Sequence, residues 1–186
     1  MSEVKGVPFV DEVEQFNAAM NKPNNYKPTI PDEKEWKFVV DFIREETAEL
    51  EEACKNRDIV EILDAILDIV YVSLGNGTML FGLKDKILKG YAEVQASNMS
   101  KLCRTEEIAK ESVKAMEAKY GVPYYYEKVK NYWVVYRKSD RKVGKSVEYF
   151  RPDLKQFFTK EEIENMSDSE INNLIKLAEN IMEALY

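Results

Sequence analysis

Histidine is absent from the 186-residue chain, and cysteine occurs only twice, at Cys54 and Cys103. The first absence excludes Ser-His-Asp and Cys-His triads and the histidine-rich sites of zinc hydrolases and di-iron carboxylate bundles. Two thiols so far apart build neither a disulfide framework nor a structural zinc site, and they suit reduced cysteines in a cytoplasm. No apolar run approaches the roughly 20 residues that a spanning helix needs. The opening MSEVKGVPFVDEVEQF has no apolar signal-peptide core. A cytoplasmic protein without a membrane partner is expected. An excess of positive charge is missing too: 27 Lys and Arg face 34 Asp and Glu, for a net charge of −7 and a pI near 4.9. That balance argues against general nucleic-acid binding. Chemistry, if there is any, must come from carboxylates, lysines, hydroxyls or a hard metal ion.

What is present is the composition of a globular protein, 45% hydrophobic and 33% charged, with enough length for a real core. Phe9, Val13, Phe16 and Met20 are spaced by three and four residues, which predicts a short amphipathic helix over 9–21. A proline- and asparagine-rich loop follows from Lys22 to Pro31. Two long helical patterns run from about Asp32 to Lys55 and from about Asp58 to Leu74, joined tightly at Asn56–Arg57 and closed by Gly75-Asn76-Gly77. Further helices are expected from about Lys84 to Asn98 and from about Thr105 to Tyr120, the latter ending at Gly121. Beyond Gly121 the sequence turns rich in Tyr, Val and Trp, split by Lys138-Ser139-Asp140-Arg141. This predicts a small antiparallel hairpin or a three-stranded meander. Thr159 with Glu162, and Ser167 with Glu170, are capping-box pairs that start two closing helices. The expected fold is mainly α, a helical bundle with a small C-terminal β appendage. Residues 1–120 make the helical domain and 121–186 the extension.

The segment from Asp41 to Gly75 carries the chemistry. Each helical residue advances about 100°. With Glu46 at zero, Val39, Phe42, Ile43, Leu50 and Ala53 fall within about 60° of it. Glu46 therefore lies in an apolar stripe, where a charge is costly unless something pairs with it. Glu49 flanks the stripe, while Glu51 and Glu52 point to solvent. On the second helix Glu61 and Asp68 lie within about 60° of Asp64. The rest of that helix is Ile59, Ile62, Leu63, Ile66, Leu67, Ile69 and Val70. It is apolar nearly all round and is expected to be buried, with one narrow acidic stripe.

Carboxylates converging from two adjacent helices repel one another unless a cation neutralises them. Without histidine or a nearby thiolate, that cation should be hard: Mg2+, or Mn2+ as a substitute. Such a site suggests a phosphorylated substrate. Two alternatives stand beside it. Glu-Glu-x-x-Glu also occurs on solvated helices, and the second stripe could form buried salt bridges within a non-catalytic binding module.

Glu45-Glu46-x-x-Glu49 followed by Glu61-x-x-Asp64 resembles the signature of the all-α nucleoside triphosphate pyrophosphohydrolases. That superfamily includes MazG-like enzymes, dimeric dUTPases and phosphoribosyl-ATP pyrophosphohydrolases. Asp64 and Asp68 before Tyr71-Val72 and Gly75, and Ser97-Asn98-Met99-Ser100-Lys101, are similar to the phosphoribosyl-ATP pyrophosphohydrolase-like subgroup. The resemblance spans roughly residues 9–104. It implies hydrolysis of a nucleoside triphosphate, or a close analogue, to the monophosphate and pyrophosphate. It also implies Glu46, Glu49, Glu61 and Asp64 as magnesium ligands and Glu45 as general base on the attacking water. Asn98 and Lys101 are implied as phosphate contacts, and Asp68 as a further substrate-site residue that holds a second metal or orients a lysine. Gln15, Phe16 and Asn17 are candidates, by their position on the first helix alone, to face the base or sugar. A homodimer or homotetramer is implied as well. Where the subgroup often carries a histidine after its aspartate this chain has Asp68, which speaks against the histidine-biosynthesis activity.

The region from Tyr124 to Lys145 interleaves an excess of Lys and Arg with Tyr124, Tyr125, Tyr126, Tyr132 and Trp133. This suits either a half-buried hairpin with lysines in water or a stacking surface for single-stranded nucleic acid. In a third possibility Lys142 or Lys145 reaches a triphosphate. Nucleic acid is not the expected partner.

Overall fold

Two aspartates start the central helices, and a left-handed arginine divides them. In the computed structural model, which describes residues 8–167, Asp32 accepts the Glu35 N–H at 2.9 Å and opens α2, Glu33–Asn56. Asp58 accepts the N–H groups of Val60 and Glu61 at 3.0 and 3.2 Å and opens α3, Ile59–Val70. Capping oxygens of this kind satisfy donors that the first helical turn leaves unpaired. Between the helices Arg57 takes φ 57°, so the chain reverses within two residues and α3 packs along α2. Before them runs α1, Pro8–Ala19.

The helix after Asp58 does not stop at the glycines. It continues as a π-helical stretch, Tyr71–Gly77, and then one α turn, α4, Thr78–Leu80. Gly75 is needed there for contact: a Cβ on it would lie 2.2 Å from Val13 Cγ2, so the glycine lets α1 dock against the π stretch. The buried side of α1 is accordingly Val10, Val13 and Asn17, whereas Phe9, Phe16 and Met20 are exposed. The apolar face expected from Phe9, Val13, Phe16 and Met20 is thus rotated, because a small Val13–Gly75 contact packs α1 more closely than phenylalanine would.

The proline-rich segment from Lys22 is a fastened connection. Asn25 N–H donates to Met79 O at 2.9 Å, its side-chain amide donates to Leu80 O at 2.6 Å, and Thr29 N–H donates to Phe81 O at 3.1 Å. Val39, Val72 and Leu80 form the buried centre here, with Trp36, Phe42, Ile43 and Phe81 packed around them. α7, Lys160–Ser167, belongs to the same compact unit. The predicted box at its start is present: Thr159 N–H donates to Glu162 Oε2 at 2.7 Å, and Glu162 N–H donates to Thr159 Oγ1 at 3.1 Å. The second predicted box, Ser167 with Glu170, extends outside the described residues.

The second compact unit covers Lys89–Phe157. It holds most of α5, Ile87–Met99, then α6, Glu106–Tyr120, and a two-stranded antiparallel hairpin, β1 Tyr124–Val129 and β2 Tyr132–Arg137. Its core is Cys103, Ala109, Met116, Tyr124 and Val135. The hairpin turns at Lys130-Asn131, where Lys130 has φ 54°. It does not turn at the predicted Lys138–Arg141, where a second turn follows β2 instead. That second turn places Val143 in a single bridge to Tyr136, all that remains of a third strand. The fold is therefore mainly helical with a C-terminal hairpin. Among the described residues, no helix is long and apolar enough to cross a membrane.

Candidate active site

Glu46 occupies the inward stripe of α2, between the buried Val39 and Ala53. Its Oε2 is out of solvent and, among the described residues, has no hydrogen-bond partner. Loss of hydration pushes the carboxyl above its ordinary range, and the charges of Asp68, Glu49, Glu45 and Asp64 push it further the same way. Four carboxylates on two helices thus act on one buried oxygen. No salt bridge reaches Glu45, Glu46, Glu49, Glu61, Asp64 or Asp68 among the described residues. On the outward side of the same helix Lys55 pairs with Glu51 at 2.8 Å and stands 4.0 Å from Glu52. Glu51 and Glu52 have a cation beside them; Glu46, among the described residues, has none.

The other acids sit differently from expectation. Glu45, Glu49, Glu61, Asp64 and Asp68 are exposed, and among the described residues no three of these side chains close around a common point as a finished ion site would. The expectation that α3 is buried also fails: Ala65 is its sole buried residue, and Ile59, Val60 and Leu63 are 74%, 68% and 57% exposed. The helix wheel shows why. With Asp64 at zero, Ala65, Ile69 and Ile62 lie at about 100–160° and face α2. Val60, Leu67, Leu63 and Ile66 lie at about 40–160° in the opposite sense, and all four are exposed. The acidic stripe forms the border between a packed face and an open apolar one.

Residues 13–98 match the family model described as phosphoribosyl-ATP pyrophosphohydrolase. This segment is a domain of the all-α nucleoside triphosphate pyrophosphohydrolase superfamily. The match takes in α1 to α4 and nearly all of α5 and leaves the hairpin outside it. The family is one of hydrolases acting on a phosphoric anhydride of a nucleotide. No curated protein matches the chain.

Within the pyrophosphohydrolase domain, the fit of a cation can be judged from Glu46. An unpartnered carboxylate oxygen, desolvated and near further carboxylates, suits a hard cation with oxygen ligands. The motif at its far end behaves otherwise. Asn98 and Lys101 lie in the second unit, where Lys101 Nζ donates to Asn98 Oδ1 at 2.7 Å. Their neighbours are taken up by backbone: Ser97 Oγ donates to Phe150 O at 2.9 Å, Phe150 N–H donates to Ser100 Oγ at 3.2 Å, and Ser146 N–H donates to Lys101 O at 3.2 Å. The hairpin's aromatic faces are also occupied. Arg141 stacks 5.0 Å above Tyr136 and pairs with Glu127 at 2.7 Å, and Lys128 lies 5.8 Å from the Trp133 ring.

Three features of the first unit are not among the sequence expectations: the π stretch, the tethering of the loop to residues 79–81, and the ion cluster of Lys84 with Asp11 and Glu14. The glycine pair at 75 and 77 was the available sign of the first, because glycines within an apolar helical run mark close approach as readily as a stop.

Proposed function

We propose that the helical unit hydrolyses a nucleoside triphosphate, or a close analogue, to the monophosphate and pyrophosphate. The buried, unpartnered Glu46 Oε2 facing four other carboxylates carries this reading. Glu46, Glu49, Glu61 and Asp64 would hold Mg2+, with Mn2+ as a substitute, and Asp68 would take a second ion or a substrate group. When bound, the metal polarises phosphoryl oxygens and offsets the charge of the leaving pyrophosphate. Glu45 lies about 100° around α2 from Glu46, at the edge of the inward stripe. There it accepts a proton from the attacking water as the α–β phosphoanhydride bond breaks and pyrophosphate leaves with the bridging oxygen. Asn98 and Lys101 stand as phosphate contacts on the strength of the resemblance alone.

The open face of α3 supports self-association. Ile59, Val60, Leu63, Ile66 and Leu67 form an exposed apolar patch of the kind that marks an interface. A second copy laid there would border the acidic stripe. A homodimer or homotetramer is expected, and Leu63→Lys should shift the sedimenting mass towards the monomer. Among the described residues no ion pair lies on the acidic stripe, which supports this reading over a salt-bridged binding module. Catalysis is tested by resolving pyrophosphate from orthophosphate on a panel of nucleoside triphosphates with Mg2+. Pyrophosphate plus monophosphate, abolished by chelator, is the expected result; orthophosphate, or no turnover at all, would sink the assignment.

A further inference from the structure

The second unit holds a cavity of its own, about 450 Å³ in volume. Its walls follow from the local fold. Cys103 and Trp133 exchange both backbone hydrogen bonds at 2.8 Å, an antiparallel bridge that turns Cys103 into the core. Side chains alternate along such a bridge and match across it, so Leu102, Arg104 and Tyr132 share the opposite face. All three line the cavity. Met99 enters from the end of α5, and Glu148 and Phe150 enter from the segment after Ser146. That segment is pinned. Glu148 N–H donates to Ser146 Oγ at 3.1 Å, Phe150 N–H donates to Ser100 Oγ at 3.2 Å, and Phe150 O accepts from Ser97 Oγ at 2.9 Å.

Two observations mark the cavity as a place for a ligand. Met99, Tyr132 and Phe150 are exposed large apolar or aromatic side chains gathered at one spot. Arg104 and Glu148 are exposed charges of opposite sign on the same cavity. Among the described residues, neither side chain pairs with the other or with any further group. Elsewhere in this unit ion pairs do form: Lys110 with Glu106 at 2.9 Å, Arg137 with Asp140 at 2.6 Å, and Arg141 with Glu127 at 2.7 Å. A lone anion in the cavity would be repelled by Glu148, and a lone cation by Arg104. A ligand with one charge of each sign satisfies both, and an apolar body on it covers the rest of the wall. The volume is in the range of small-molecule sites.

We propose that this cavity binds a free amino acid with a large apolar side chain. Its carboxylate pairs with Arg104, its ammonium group pairs with Glu148, and its side chain packs against Met99, Leu102 and Phe150. The inference is independent of the hydrolase reading. It gives a ligand to the unit that lies mostly outside the family match.

The test is titration calorimetry on the full chain with L-phenylalanine, L-leucine and L-methionine, without nucleotide or metal. Glycine, which lacks the apolar part, should bind at least about tenfold more weakly than the best of the three. Two analogues of that best binder each remove one charge: its amide lacks the carboxylate, and its N-acetyl derivative lacks the ammonium. Each should lose about fivefold or more in affinity. Arg104→Gln should bring the ratio of amino acid to amide close to one, and Glu148→Gln should do the same for the N-acetyl derivative. Both side chains are exposed, so both variants should melt as the parent does, and lost binding is read apart from unfolding. Four results overturn the proposal. They are no binding of any of the three amino acids, an amide that binds as well as its parent (a peptide N-terminus), an N-acetyl derivative that does so (a peptide C-terminus), or discrimination that survives both substitutions.

Discussion

Glu14 and Glu46 are half-buried carboxylates on helices of the same unit, yet their environments move them in opposite directions. Glu14 on α1 takes an ion pair and hydrogen bond from Lys84, which also meets Asp11 at 2.7 Å; these, with a hydrogen bond from Tyr26, hold its carboxyl below the ordinary range. Glu46 on α2 has lost its water and gained only further acids, and its carboxyl is raised. Burial alone therefore does not distinguish a structural acid from a functional one. The distinguishing feature is whether the chain itself supplies the counter-charge. At Glu14 it does; at Glu46 no described residue does.

The strongest test removes the unmatched charge. Glu46→Gln should cost at least about a hundredfold in kcat/KM for pyrophosphate release, a loss seen even for partners outside the ligand shell. In EDTA the same variant should melt higher than the parent, because a repelled and desolvated charge has gone. A lower melting temperature in EDTA would mean that Glu46 is paired after all.

Next in size is Gly75→Ala. Its methyl group meets Val13 and should cost about 1–3 kcal/mol by overpacking, read as a lower denaturation midpoint. This disturbs the docking of α1 without touching a charge, so the upward shift of Glu46→Gln in EDTA should persist in the double variant.

Lys84→Met strips the supplied counter-charge. Since Lys84 and Asp11 retain solvent access, the loss should be about 1 kcal/mol in a thermal melt at neutral pH. Its sign is opposite to that of Glu46→Gln, which is the sharpest form of the contrast.

The smallest effect is in pH. Glu14 has a folded pKa below its unfolded value of about 4.5, so its contribution is present above pH 4.5 and is lost as pH falls through the lowered value. Glu46 has a folded pKa above about 4.5, so its penalty is full above the raised value and fades as pH falls through it. In metal-free melts, the gap between the parent and Glu46→Gln should close at a higher pH than the gap between the parent and Glu14→Gln.

Much of the helical part of both units was legible because capping and periodicity are local. Asp32, the Asn56–Arg57 turn and Gly121 each act within a few residues of themselves, and so does the Thr159–Glu162 box. The stripe holding Glu46 was legible for the same reason. What escaped was non-local. Which side of α1 faces inward depends on Gly75, some sixty residues on, and Phe16 gives way to Val13 only because the π stretch comes so close. The covering of α3 could not be read either, since a helix apolar on every side looks the same whether its own chain or another covers it. In the hairpin, Lys130-Asn131 was a weaker turn signal than the polar run at Lys138–Arg141, and strand register decided between them.

The π stretch from Tyr71 to Gly77 has a consequence for length variation. Wider turns of this type behave as one extra residue absorbed into an α-helix, so the segment can be treated as an insertion that the fold has kept. Deleting Asn76 would restore ordinary α-helical spacing at little local cost. It would also swing everything after it by about 100°, taking Met79 and Leu80 out of the positions where Asn25 fastens to their carbonyls. The chain should therefore tolerate almost no change in this segment's residue count.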